Sequence, residues 1–448
     1  MNPDTASFDG GFFKLTLPYT FGGWVVWVLG FILVGAGIAN AVSSAAPVGL
    51  LLTVLGFLIL ATASPGSFQA DLHRLRKAAM SKEDWENNVK ESGLTVENWF
   101  LQQTTIKPTN DPNDWVFPAP GPLEWNSSNR YAADPSGKAL PEHPATVGTP
   151  TPATLSLHGV FAVCAVICLL VFGAALTAQS GSDAANNATS SLVLAALGFI
   201  LTLVGYFRNK GLRQMLDTPT SLVRSAAVGY PELVGQVRPG VEGAMTVLVD
   251  GNERMVVHNM VGYRWTYEQK QCRTVKTDEG TKEECSWVTI RSDSGGVPFI
   301  LHDGTGGIKV NGTSFKRCDF GQFIQQWSGA FAETLGKQLM ASAVAGVLGG
   351  ARVEGHRWTV YGLRLGDPVY LLGQTKPRPA EELQAEGLDG TLGNSTIEVW
   401  GNEDAVGTKV TMKRGTELVN LGTSRSGMEM LLPPILLMLG GLALLGFL

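Results

Sequence analysis

The chain has 448 residues, of which 44% are hydrophobic and only 16% charged, and its formal net charge is -5. This balance is unusual for a water-soluble protein of that size and assigns part of the chain to lipid. The small charge excludes a basic field for nucleic acid, and five cysteines with no CxxC pair and no His/Cys cluster at zinc spacing argue against a structural zinc.

Two uncharged stretches come first, "WVVWVLGFILVGAGIANAV" (24–42) and "VGLLLTVLGFLILATAS" (48–64). Each is close to the length that crosses about 30 Å of hydrocarbon at about 1.5 Å per residue. So few residues separate them that they form a helical hairpin, and a second span following at once argues against a cleaved signal peptide. A second hairpin follows in "LHGVFAVCAVICLLVFGAALTA" (157–178) and "SSLVLAALGFILTLVGYF" (190–207), and "MLLPPILLMLGGLALLGFL" (430–448) is a fifth span. None of the five contains Asp, Glu, Lys or Arg, which argues against an ion or proton pathway. Basic runs follow the second and fourth spans, "DLHRLRKAAMSK" and "FRNKGLRQ", whereas "SSAAP" and "QSGSDAANNAT" carry no Lys or Arg. Basic residues resist translocation, so the N-terminus and the long segments after spans two and four are expected in the cytoplasm.

Within 66–156, Leu72, Leu75 and Ala79 recur at helical steps and predict a helix leaving the membrane, and Ser81 ahead of Asp84 reads as a capped start of another. From Lys107 to Pro152 the Pro/Asn/Ser/Gly-rich composition predicts a linker that does not fold alone, with Trp115, Phe117 and Trp125 as anchors. From Glu232 onward, short β-rich runs punctuated by turns predict a mainly antiparallel sandwich or barrel within a 209–428 domain. One amphipathic helix is expected inside it over 319–350, where Phe320, Phe323, Ile324, Trp327, Phe331, Leu335 and Leu339 recur at three- and four-residue steps. The expected division is therefore 1–65, hairpin one; 66–156, helix and linker; 157–208, hairpin two; 209–428, the β domain; and 429–448, the last span. The fold class is an α+β membrane protein.

"PFILHDGTGGIKVNG" holds three glycines in its centre but has neither the GxxxxGK of a Walker loop nor the GxGxxG of a dinucleotide fingerprint. It reads as strand, turn, strand, with glycines supplying the positive φ that a hairpin needs. His258, His302 and His356 lie among acids, and a hydrolase could be imagined from His302 or His356 with a serine such as Ser294, but no GxSxG or HExxH pattern joins them. Cys272 and Cys285 flank a polar segment as two strands of a hairpin would; they would pair outside the cytoplasm and remain thiols within it. Cys164 and Cys168, four apart in a span, read as packing residues.

The runs "VGQVRPG", "MVVHNMVGYRWTYEQ", "WVTIRSDSGGVPFILHDGTGGIKVNG" and "HRWTVYGLRLGDPVYLLGQTK" resemble, in that order, the GIDE (beside-a-membrane) domain. That domain occurs in the membrane-anchored mitochondrial E3 ubiquitin/SUMO ligase family and in many prokaryotic proteins, and the resemblance spans about residues 212–428. It implies a β-rich domain between membrane spans. Ligating members carry a RING finger after the last span, and no Cys/His array stands there in this sequence, so no zinc-ligand or E2-docking role carries over. Four spans before the domain, instead of one, also depart from the pattern.

The expected function is a non-enzymatic scaffold or adaptor in a prokaryotic plasma membrane, with no catalytic, cofactor-binding or metal residues. Its expected partners are the lipid bilayer, other membrane proteins and a possible second copy of the chain, without nucleic acid. Tyr263, Trp265, Asp303, Trp327 and Tyr370 are the candidate partner-binding residues. The alternatives are a ligase-like subunit whose RING comes from a separate chain, and a membrane hydrolase built on His302 or His356.

Overall fold

The structure is a computed structural model that describes residues 11–44, 47–79, 102–106, 130–135, 137, 139–140, 153–179, 184–218, 220–277, 280–329, 352–388, 390, 393–402 and 409–446. In chain order its first elements are β1 (Phe13–Lys14), α1 (Phe21–Ser44), α2 (Pro47–Ala63), α3 (Ser67–Ala79), β2 (Gln102–Ile106), β3 (Leu155–Ser156), α4 (Leu157–Gln179) and α5 (Ala184–Asp217). Next come β4 (Glu232–Pro239), β5 (Met245–Leu248), β6 (Val256–Thr277), β7 (Gly280–Gly296), β8 (Phe299–His302), β9 (Gly307–Val310), β10 (Cys318–Asp319) and β11 (Gln325–Gly329). The series closes with β12 (Arg352–Arg364), β13 (Pro368–Leu372), β14 (Gln374–Pro377), α6 (Ala380–Ala385), β15 (Ile397–Trp400), β16 (Thr411–Arg414), α7 (Glu417–Gly422) and α8 (Gly427–Gly446). Contacts divide the chain into two compact units: Met1–Ala78, Pro144–Pro219 and Leu418–Leu448 form one, and Ala79–His143 with Thr220–Glu417 form the other.

The first unit is helical and contains five helices long and apolar enough to cross a membrane, at the five stretches read from the sequence. These helices are apolar outward as well as inward: Ile32, Phe199 and Leu439 are 59%, 53% and 53% exposed. Such all-round hydrophobicity distinguishes them from the surface helices of a soluble domain. Within the α1/α2 hairpin, small residues let the backbones meet; a Cβ on Gly49 would lie 2.4 Å from the Ala41 nitrogen. α3 buries Leu72 and Leu75, the apolar stripe of an otherwise polar helix.

One acid ties the helical unit together. Glu429, 4% exposed, sits in the first turn of α8 and forms a capping box with Ser426. The Ser426 N–H donates to Glu429 Oε2 at 3.2 Å, and the Glu429 N–H donates back to Ser426 Oγ at 3.2 Å. The same carboxylate accepts from the Ser67 N–H at 3.1 Å, where α3 starts, and from the Ser156 N–H at 3.0 Å, just before α4. Three helix N-termini, each with orphan donors and a positive dipole end, therefore share one anion.

In the second unit, one sheet has eight strands in the order β10-β16-β13-β4-β8-β9-β15-β14, and a six-stranded sheet runs β2-β11-β12-β6-β5 with β7 also on β6. Pairing in both is antiparallel apart from β10 with β16 and β9 with β15, in keeping with the short connections. The larger sheet buries Leu233, Val237, Leu301, Ile308, Val369 and Met412, and the smaller one buries Met255, Met260, Trp327, Trp358 and Val360.

The amphipathic helix expected over 319–350 is corrected by β11. Residues 325–329 are a strand held between β12 and β2, with Trp327 opposite Trp358. The sequence F-I-Q-Q-W-S-G has no apolar alternation; ladders on both edges satisfy the backbone of 325–329 and select the strand over the helix that three- and four-residue steps favour. Residues 330–351 lie outside the described residues, as do the 81–101 segment, the anchors Trp115, Phe117 and Trp125, and His143.

Candidate functional site

Asp303-Gly304-Thr305-Gly306-Gly307 is the turn joining β8 to β9, as the sequence pattern predicts. The buried Asp303 carboxylate organises it: Oδ1 accepts from the Thr305 N–H at 2.8 Å and its hydroxyl at 2.7 Å, while Oδ2 accepts from the Val223 N–H at 2.8 Å. Gly304 has φ +90°, which a side chain would resist. The face of the turn is filled by the chain's own 130–140 segment, which the sequence reading took for part of a linker. Asp134 N–H donates to the Gly304 carbonyl at 2.9 Å, Leu140 N–H to the Asp303 carbonyl at 2.7 Å, and Gly307 N–H to the Tyr131 carbonyl at 3.2 Å. A Cβ on Gly307 would stand 2.4 Å from the Arg130 carbonyl oxygen, so glycine is needed for this approach. The Gly304, Thr305 and Gly307 N–H groups, which a phosphate loop would aim at its ligand, are all spent within the protein.

His302 is part of the same arrangement. Its Nε2 donates to the Ala132 carbonyl at 2.9 Å, and its Nδ1 accepts from the Gly304 N–H at 3.0 Å. Burial, followed by the nearby Arg238 charge, holds its pKa below the usual histidine value. Arg238 in turn grips Asp134 through two bonds of 2.7 and 2.8 Å. His356 stacks with Tyr267 and Trp358, its Nδ1 2.7 Å from the Tyr267 hydroxyl, and burial depresses its pKa as well. The ring nitrogen of His302 that could accept a proton is already engaged by the Gly304 N–H, and His356 Nδ1 faces the Tyr267 hydroxyl, so each imidazole is bonded within the protein.

The five candidate partner-binding residues fall in four places. Asp303 is in the turn, and Trp265 and Trp327 belong to the core of the six-stranded sheet at 7% and 0% exposure. Tyr263, half-buried on β6, donates to Asp293 at 3.0 Å. Tyr370 is buried on β13 and donates to Glu232 Oε2 at 2.7 Å. Glu232 leads to a feature that the sequence reading missed. The Thr220 hydroxyl lies 3.0 Å from both the Glu232 and Glu417 carboxylates, yet has one proton to give. Burial, then the Glu417 charge, pushes the Glu232 carboxyl up to about 9. The only hint in the sequence is an acid opening the run "ELVGQVRP", whose eight residues are all buried.

A second buried network surrounds Arg378, whose side chain is fully enclosed. It donates to Tyr131 Oη at 2.9 Å, to the Ser395 carbonyl at 3.1 Å, to Glu382 at 2.9 Å and to Glu386. Tyr131 thus joins the 130–140 segment to α6 as well as to the turn.

Three exposed large apolar side chains of this unit lie on one strand, β7. Among the described residues this strand pairs with β6 alone, and Trp287, Val288 and Ile290 are 40%, 38% and 44% exposed. Ile290 is the unpaired residue where the β6/β7 register slips between Glu268/Thr289 and Tyr267/Arg291. Cys272 and Cys285 face each other across the same hairpin and are joined by a disulfide. No family model matches the chain, and no curated protein or solved structure does.

Proposed function

We propose that the chain is a non-enzymatic scaffold or adaptor of a prokaryotic plasma membrane, anchored by the five apolar helices and presenting its β unit, a sandwich of the GIDE type, to other membrane proteins. The observation that carries this reading is the long edge strand β7 with Trp287, Val288 and Ile290 exposed. An edge strand offers a row of backbone donors and acceptors to an incoming extended segment, and exposed side chains beside it supply selectivity. The bonds that occupy His302 and the turn support an architectural role for the motif. The charge distribution favours a cytoplasmic β unit, where Cys272 and Cys285 would be held as thiols; the disulfide form belongs to an oxidising compartment.

Photo-crosslinking in native membranes tests the reading. A benzophenone side chain replacing Val288 is expected to give one discrete protein adduct, which Ile290→Lys in the same chain abolishes. The same side chain replacing the buried Val237 should give none. Adducts with lipid alone, or an adduct indifferent to Ile290→Lys, would refute a partner at this edge.

A further inference from the structure

Cys272 lies on β6 and Cys285 directly opposite on β7. Glu283 stands two residues before Cys285 and so on the same face of the strand. Glu354 is contributed by β12 at the point where its register against β6 slips between Val353 and Gly355. The two sulfurs and one oxygen from each carboxylate all lie within 4.8 Å of one another. Cys272 is buried, and Cys285, Glu283 and Glu354 are exposed. Lys270 donates to Glu354 Oε2 at 3.0 Å, which orients the carboxylate and leaves its other oxygen for a further contact.

We propose that Cys272, Cys285, Glu283 and Glu354 form a redox-gated site for a thiophilic divalent cation of the Zn2+ class, open as the dithiol and closed as the disulfide. This proposal is independent of the scaffold reading. Zn2+ takes sulfur at about 2.3 Å and carboxylate oxygen at about 2.0–2.2 Å, so tetrahedral ligands stand roughly 3.3–3.8 Å apart. The four side chains are therefore within about an ångström of the required spacing once the S–S bond opens. Two thiolates select Zn2+ or Cd2+ over Mg2+ or Ca2+, which prefer oxygen alone. Opening needs a dithiol reductant: the S–S bond takes two electrons and two protons, the reductant leaves as its own disulfide, and the metal then displaces both thiol protons. In the disulfide form neither sulfur is a thiolate, and two carboxylates remain. On the reducing side of a membrane the dithiol form prevails, and on the oxidising side the closed form does.

The experiment uses the full-length protein in detergent with Co2+ as the probe. After reduction and removal of the reductant, it is expected to bind one Co2+ with a thiolate-to-metal charge-transfer band and tetrahedral d–d absorption. The oxidised protein should show neither. Cys285→Ser, on an exposed strand, should lose the charge-transfer band, and Glu283→Ala with Glu354→Ala should weaken binding at least about tenfold. Far-UV circular dichroism verifies that these variants keep their sheet. Absence of the band in the reduced protein would overturn the proposal. So would an equal band in Cys285→Ser, which would place the ion on Cys164, Cys168 or Cys318, or unchanged affinity in the double glutamate variant.

Discussion

Replacing Glu429 by alanine tests whether one carboxylate holds the helical unit together. The side chain accepts from three buried backbone N–H groups, those of Ser67, Ser156 and Ser426, and from the Ser67 hydroxyl at 3.1 Å. The hydroxyl can rotate to another acceptor, whereas the three N–H groups are fixed by the helices they begin. A buried donor left unpaired costs about 1–3 kcal/mol, so Glu429→Ala is expected to destabilise the unit by about 3–6 kcal/mol after partial relaxation. Glu429→Gln retains one acceptor oxygen but turns an NH2 group toward donors and removes the charge facing three dipole ends, so about half that loss is expected. The assay is thermal unfolding in detergent, read by reaction of Cys164 and Cys168 with a thiol probe, since both lie in α4 and are half-buried. An alanine variant as stable as the parent, or more stable than the glutamine variant, would refute the reasoning.

Three further outcomes are expected. The folded Glu232 carboxyl titrates near 9, against about 4.5 unfolded, so the native state holds the extra proton between those values. Stability therefore falls as pH rises through that window, by at most about 1.4 kcal/mol per pH unit; Glu232→Gln should flatten the slope in urea unfolding of the full chain, and an unchanged slope would assign it elsewhere. Gly307→Ala should push the 130–140 segment from the turn at a cost on the order of 1–3 kcal/mol, visible as faster proteolysis within that segment, and proteolysis at the parental rate would argue against this close approach. Arg378→Met should lower stability by roughly 3 kcal/mol by leaving the Glu386 carboxylate and Tyr131 hydroxyl without their shared donor, and an unaffected denaturation midpoint would argue against this network.

Much of the architecture follows from local rules that act over a few residues. An uncharged run of about twenty residues has few ways to satisfy its backbone other than as a helix, and all five such runs are helices here. Asp303-Gly304-Thr305-Gly306-Gly307 between apolar runs dictates a hairpin turn because glycine tolerates positive φ. Residues 319–329 carry apolar steps of three and four that favour a helix, and only the ladders with β2 and β12 select the strand that buries Trp327. The reach of Glu429 to Ser67 and Ser156, the meeting of Glu232 with Glu417, and the arrival of Glu354 beside the Cys272/Cys285 hairpin were decided by the tertiary structure alone. In each case the partner comes from a distant part of the chain, Glu354 in the last of them, where sequence spacing carries no information about distance; burial and strand register bring them together, and their chemistry arises from that proximity.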